Sequence, residues 1–244
     1  MLRRVLAFTG FLLLLIIGGI VLLKLPNQEA RQTNSDEPPL LLKGIGITLA
    51  GYDPATNKAG DFVFTKQKLQ FDRIWMDYGF SIPASSAGAA KRNPQPTFIL
   101  PLGTKVRALV DGIVVDVPKL YSGDYSVMVA PDMKSRWRYE TEHVINPVVK
   151  IGDRVVAGQV VAEVSDYDSR NTPGFGLVEI GILKGGTPPQ HLCPFQYLDP
   201  SIKVDTQRNI RAFYRAWEQY RGQPGLYEET VEPVGCLTTE AIDG

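Results

Sequence analysis

Two stretches of this chain repeat one pattern, and that repetition limits what the chain can fold into. "LPLGTKVRALVDGIVVDV" (100–117) opens on a tight turn at Pro101–Gly103, runs as a strand, turns at Asp111–Gly112 and runs as a second strand. "VVKIGDRVVAGQVVAEVS" (148–165) does the same, with turns at Gly152–Asp153 and Gly158. "YSVMVAP", "RWRYETEHVI" and "FGLVEIGIL" supply further short, β-branched-rich segments broken by Gly, Asp or Pro. Such residues suit a pleated, half-buried surface. The expectation is a mainly β fold, an antiparallel sandwich or partly open barrel.

From Leu40 onward the preceding sequence is also strand-like. "KGIGITLAG" and "DFVFTKQKLQF" flank the turn-forming "YDPATNKAG", and "DRIWMDYGFSI" leads into a small, polar loop. Near the end the period changes. In "TQRNIRAFYRAWEQYRG", Ile210, Phe213, Tyr214, Trp217 and Tyr220 fall on one helical face, and Gly222 supplies the stop. This is the docking face of an amphipathic helix against the sheet. The chain therefore divides into a β-rich domain (40–203), a helix (204–222) and an acidic, loosely ordered tail (223–244).

The N-terminus addresses the chain to a membrane. An uncharged run from Val5 to Leu23, flanked by Arg3, Arg4 and Lys24, covers roughly 28 Å as a helix. It is longer than the apolar region of a signal peptide, and no small-x-small cleavage site follows. The expectation is a retained anchor (1–25) with a cytoplasmic N-terminus, a polar linker (26–39) and an extracytoplasmic remainder. Lys plus Arg and Asp plus Glu both number 26, and no basic stripe carries interleaved aromatics, so nucleic acid is not an expected partner. Cys193 and Cys236 are the chain's two cysteines. In an oxidising compartment they pair and pin the tail to the domain; in a cell that does not oxidise its exports they stay as thiols.

The two duplicated hairpins resemble those of the lysostaphin-type zinc endopeptidases, which cut peptidoglycan cross-links. In that family "P-x-G-T-x-V-x-A-x-x-D-G-x-V" and "V-x-x-G-x-x-V-x-x-G-Q-x-I-G" segments flank the active site, and "CPFQYLDP" (193–200) matches its closing "P-x-x-Y-L". The resemblance covers roughly residues 70 to 200. It implies a zinc held by the His and Asp of an H-x-x-x-D motif and the second His of an H-x-H strand, with the first His of H-x-H and a catalytic His in "Y-x-H-L" handling the water and the oxyanion. A catalytic zinc needs three protein ligands and an open position. Here "DYGFS" puts Asp77 and Ser81 where the first motif has His and Asp, and "TEHV" keeps His143. Phe175 and Leu177 replace both histidines of H-x-H, while the Glu that follows them survives as Glu179.

Read without the family, these residues have plainer roles. Alternation places His143 with Tyr139 and Thr141 on one strand face and Glu140 and Glu142 on the other, as an ordinary strand histidine. Glu179 reads as a solvent-facing or Arg-paired residue, Asp77 as turn chemistry before Gly79, and His191 as a loop residue. Trp137 and Tyr139 read as cross-strand packing, with a sugar-stacking surface as the functional alternative. The expectation is a degenerate, catalytically inactive relative without a cofactor, binding peptidoglycan or regulating a wall hydrolase or other envelope protein. One alternative is an active metalloendopeptidase whose zinc is held by Asp77, His143 and Glu179 converging on one cleft. Another treats the hairpins as a lipoyl-like export adaptor, but the coiled coil and modifiable Lys of such modules are missing.

Overall fold

A computed structural model describes residues 36–84, 88–167, 169 and 172–244. The anchor expected at Val5–Leu23 lies outside them, and no helix among the described residues is long and apolar enough to cross a membrane. In chain order the first strands are β1 (Lys58–Ala59), β2 (Phe62–Val63), β3 (Trp75–Met76), β4 (Ser81–Ile82) and β5 (Lys91–Arg92). The two hairpin segments and the strands around them follow as β6 (Thr97–Pro101), β7 (Lys105–Arg107), β8 (Gly112–Asp116), β9 (Tyr125–Ala130) and β10 (Trp137–Ile145). Then come β11 (Arg154–Val155), β12 (Val160–Val164), β13 (Phe175–Lys184), β14 (Gln190–Leu192), the helix α1 (Pro200–Arg221) and β15 (Ile242–Asp243).

Eleven of these strands form one antiparallel sheet with the spatial order β11-β8-β9-β10-β13-β14-β15. β12 joins it through β10 and β7, and β3 and β6 attach on the other edge of β13. Every strand pair is antiparallel, as the duplicated hairpins require. Upstream, the expected long strands shrink. Residues 43–51 bend at Lys43 and Gly46–Ile47 and make no ladder, and "DFVFTKQKLQF" contributes only β2, paired to β1 across a turn at Gly60–Asp61. The apolar side chains there still point inward, with Ile45, Ile47, Phe62 and Phe64 all buried. Periodicity located the buried residues; it did not guarantee a pairing partner.

α1 begins earlier than its apolar stripe suggested. The Asp199 side chain caps it by accepting the Ser201 amide at 2.9 Å, and Pro200 occupies the first turn. Gly222 ends it in the left-handed conformation (φ +69°). Ile210, Phe213, Tyr214 and Trp217 are buried, so the stripe is a docking face. It closes on an aromatic cluster in which Trp75 meets Phe62, Phe98, Phe195, Phe213 and Tyr214, all within 4.4–6.0 Å between ring centres. Trp217 adds an indole hydrogen bond to the Asp72 carbonyl at 3.0 Å.

The tail is not loose. Tyr227 stacks on Tyr214 at 4.0 Å, Val234 and Cys236 are fully buried, and β15 pairs with β14. Cys193 and Cys236 form a disulfide. Acidic composition misled here because Glu229 and Glu232 pair with Arg215 and Arg211 and tie the tail to α1. His191 is likewise no loop residue: it lies in β14, 6% exposed, and burial pushes its imidazole down to about 4. Trp137 and Tyr139 are also buried, so neither offers a face to a sugar. Because Trp217 fills the helix–sheet interface, Trp217→Ala is expected to cost about 3–5 kcal/mol in denaturant unfolding, the usual penalty for a buried aromatic.

Candidate functional site

The site follows from one register. Glu142 of β10 stands directly opposite Glu179 of β13, and Glu179 stands opposite Thr97 of β6. Three adjacent strands therefore carry Thr97, Glu179 and Glu142 in a single cross-strand row. The Thr97 hydroxyl donates to Glu179 Oε1 at 2.8 Å. Asn93 Nδ2 in turn donates to Thr97 Oγ1 at 3.3 Å.

β10 carries a bulge just beside this row. Thr141 pairs with Val127 and Val144 with Tyr125, so Glu142 and His143 together oppose the single residue Ser126. His143 adopts φ +57° to accommodate the extra residue. The bulge shifts the alternation by one. Tyr139, Thr141 and Val144 face one way, and His143 comes within electrostatic reach of Glu140 and Glu179. The alternation assumed from sequence, which set His143 apart from the glutamates, is corrected by this one inserted residue.

His143 is held on two sides. Its Nδ1 lies 2.9 Å from Asp124 Oδ2, and its ring stacks on Tyr167 at 4.4 Å with 8° between planes. Burial works against the Asp124 carboxylate, but hydrogen bonds from Ser122, Ser165 and His143 outweigh it and leave its pKa below the usual range. Ser165 bridges to Leu177 of β13, so the Asp124–His143 pair adjoins the apolar end of the row.

The glutamates behave in the opposite way. Glu140 is buried, accepting from the Ser126 hydroxyl and from Gln95 Nε2 at 2.8 Å, and burial still raises its pKa. Burial also raises Glu179, partly offset by His143, Thr97 and Lys91. Glu142 is pushed up to about 8, first by burial and then by Glu140, Glu179 and Asp124, with Lys91 of β5 opposing. Like carboxylates directly opposed on a sheet repel when both are charged. A proton on this group relieves the conflict.

Asp77 does not join them. It is 1% exposed, accepts from the Tyr214 hydroxyl of α1, and lies 3.9 Å from Arg73 Nη1. Burial raises its carboxyl to about 6 against the pull of Tyr214 and Arg73. Its carboxylate thus serves the helix interface, while His143 and Glu179 share the β10–β13 face. The convergence required for a metal held by Asp77, His143 and Glu179 is absent, and no group of three His, Cys, Asp or Glu side chains among the described residues is arranged to hold a metal ion. Ser81 is exposed in β4, opposite Arg92 of β5. With Ile82, Pro83, Ala90, Lys91 and Arg92 it lines an open pocket of about 360 Å³. Phe175 and Leu177 are each 7% exposed in β13 and belong to the hydrophobic core.

No family model and no curated protein matches this chain. Solved structures do. The catalytic domain of a variant of the prophage-encoded protein EnpA from Enterococcus faecalis aligns at 27% identity over 48% of this chain and 85% of its own, with a TM-score of 0.37. The catalytic domain of the antimicrobial peptidase lysostaphin from Staphylococcus simulans aligns at 21% identity over 45% and 78%, with a TM-score of 0.36. The chain is similar to the lysostaphin-type peptidases. A chain of the SpoIIQ–SpoIIIAH complex aligns at 14% identity over 62% and 99%, with a TM-score of 0.37.

Sequence reasoning singled out His143 and Glu179 but missed Asp124, Glu140, Glu142, Thr97 and Lys91. Asp124 lies 19 positions from His143, and no local spacing marks it. Glu142 carried a signal, an acidic residue beside a histidine on a strand otherwise rich in β-formers. The raised Glu142 pKa has a defined sign. The folded chain binds this proton more tightly than the unfolded one, so the stabilisation is complete below pH 4.5 and is lost as pH rises toward about 8. The domain is expected to resist denaturant better at about pH 6 than at about pH 8.5. Glu142→Gln should recover about 1–2 kcal/mol at the higher pH, less than the full shift because the side chain is partly solvated. A flat wild-type profile would contradict this assignment.

Proposed function

We propose that this chain is a membrane-anchored, extracytoplasmic, peptidase-like module that binds cell-wall peptidoglycan rather than cutting it. The observation that carries the reading is the fate of the positions where the lysostaphin-type pattern has its metal ligands and catalytic histidines. Phe175 and Leu177 are buried apolar residues there, and Asp77 is committed to Tyr214 and Arg73. Among the described residues no three His, Cys, Asp or Glu side chains are arranged to hold a hydroxide-generating metal. What the face offers instead is a set of hydrogen-bonding groups on a rigid sheet. His143 is oriented by Asp124, Glu142 and Glu179 accept or donate according to protonation, and Lys91 stands beside them. Such groups suit the amides, amines and carboxylates of a cross-linked peptide.

Anchoring through the apolar N-terminal run is part of the same proposal. It would keep the module within one short tether of the membrane, where newly made wall is accessible. The direct test incubates the purified full chain with peptidoglycan sacculi and measures zinc content, release of soluble peptides and co-sedimentation. Co-sedimentation without peptide release or stoichiometric zinc is expected. The doubly substituted Glu142→Gln, Glu179→Gln chain should sediment roughly tenfold less efficiently. Zinc-dependent peptide release that His143→Ala abolishes would overturn the reading.

A further inference from the structure

The tail residues after the disulfide run alongside the segment that leads from Asp77 to the site-bordering hairpin. Gly235 accepts the Tyr78 amide at 3.1 Å, and the Leu237 amide donates to the Tyr78 carbonyl at 2.9 Å, a parallel ladder on both sides of one residue. The Tyr78 hydroxyl lies 2.7 Å from the Glu240 carbonyl and 2.8 Å from that of His191. Thr238 sits flush on Gly79, whose φ of +80° and missing side chain are both required, since a Cβ there would meet Thr238 Cγ2 at 2.8 Å. Gly79 then donates to the Asn93 carbonyl, and Asn93 donates to that of Phe80, each at 2.8 Å. These bonds close the base of the β4–β5 hairpin. Asn93 also supports Thr97, and Lys91 of the same hairpin acts on Glu142 and Glu179.

Continuous hydrogen bonding therefore connects Cys236 to the border of the carboxylate row. We propose that residues 235–240 are a strap locked by the Cys193–Cys236 disulfide, and that the β4–β5 border of the site becomes ordered only once this disulfide has formed. Oxidation passes two electrons and two protons from the two thiols to a disulfide-bearing oxidant, by exchange through a mixed disulfide, and the oxidant leaves as a dithiol. Both sulfurs are fully buried in the finished fold, so the bond forms while the tail is still undocked and resists reduction afterwards. The ion pair of Arg92 with Glu240 at 3.9 Å joins the strap to β5 directly, but it is exposed and adds little. Nothing in this inference depends on what the site binds.

Hydrogen exchange on the full chain, read by mass spectrometry over residues 77–82 and 91–95 and compared with 137–145 and 175–184, tests it. In the Cys193→Ser, Cys236→Ser chain the first two segments are expected to exchange about tenfold faster, with the β10 and β13 segments unchanged. Leu237→Pro keeps the disulfide but removes the donor to Tyr78, and it should produce the same selective loss. Unchanged exchange at 77–82 and 91–95 in either variant overturns the proposal. So does acceleration of equal size across β10 and β13, which would show the disulfide to be a general stabiliser. If the serine chain does not fold, the Leu237→Pro result decides alone.

Discussion

The register between β10 and β13 is the constraint on which the rest of this site depends. It sets Glu142 against Glu179, and a one-residue slip of either strand would turn its carboxylate to the opposite face of the sheet and break the pair. Slippage is resisted because the same ladder buries Tyr139 opposite Ile182 and seats Gly181 opposite Glu140, where Gln95 fills the space a side chain would need. Apolar packing on one face therefore enforces an electrostatically unfavourable meeting on the other. The protein accommodates that meeting by raised carboxyl pKa values, by the hydrogen bond from Thr97 to Glu179, and by Lys91 and His143 nearby.

A second constraint separates Asp77 from this face. The aromatic cluster around Trp75 draws α1 onto the sheet, and Tyr214 arrives with a hydroxyl that needs a buried acceptor. Asp77 supplies it. A carboxylate so engaged is a support for the helix and has no freedom to ligate an ion on the β10–β13 face. The helix and tail, which pack on the β core, thereby decide what one of its potential functional residues does.

Much of the architecture was legible in the chain. The duplicated hairpins, with their β-branched strands and Gly or Asp turns, read directly as antiparallel β structure, and the Ile210–Trp217 stripe read as a docking helix. Both rest on local periodicity, which survives folding because burial follows it. Legibility ended where pairing partners mattered. Residues 43–51 have strand composition but make only scattered backbone bonds, such as Lys43 to Leu109 and Arg107 to Gly46, and no ladder. The tail has the composition of a loose end but finds arginines, a disulfide and a sheet edge. For the site, His143 and Glu179 were identifiable by resemblance. Their relation to Glu142 was not, because a single bulge opposite Ser126 reverses the face on which His143 lies.

The sequence by itself determined the strand-rich class, the helix with its Gly222 stop, and the substitution of Phe175 and Leu177 where a related pattern has histidines. Each is a property of residue identity and short-range spacing. Only the tertiary structure decided that Asp77 serves the helix, that Asp124 orients His143, and that two glutamates 37 positions apart by number meet across a ladder. Those outcomes depend on which distant segments are pressed together, and cross-strand register and burial are collective properties that no local pattern encodes.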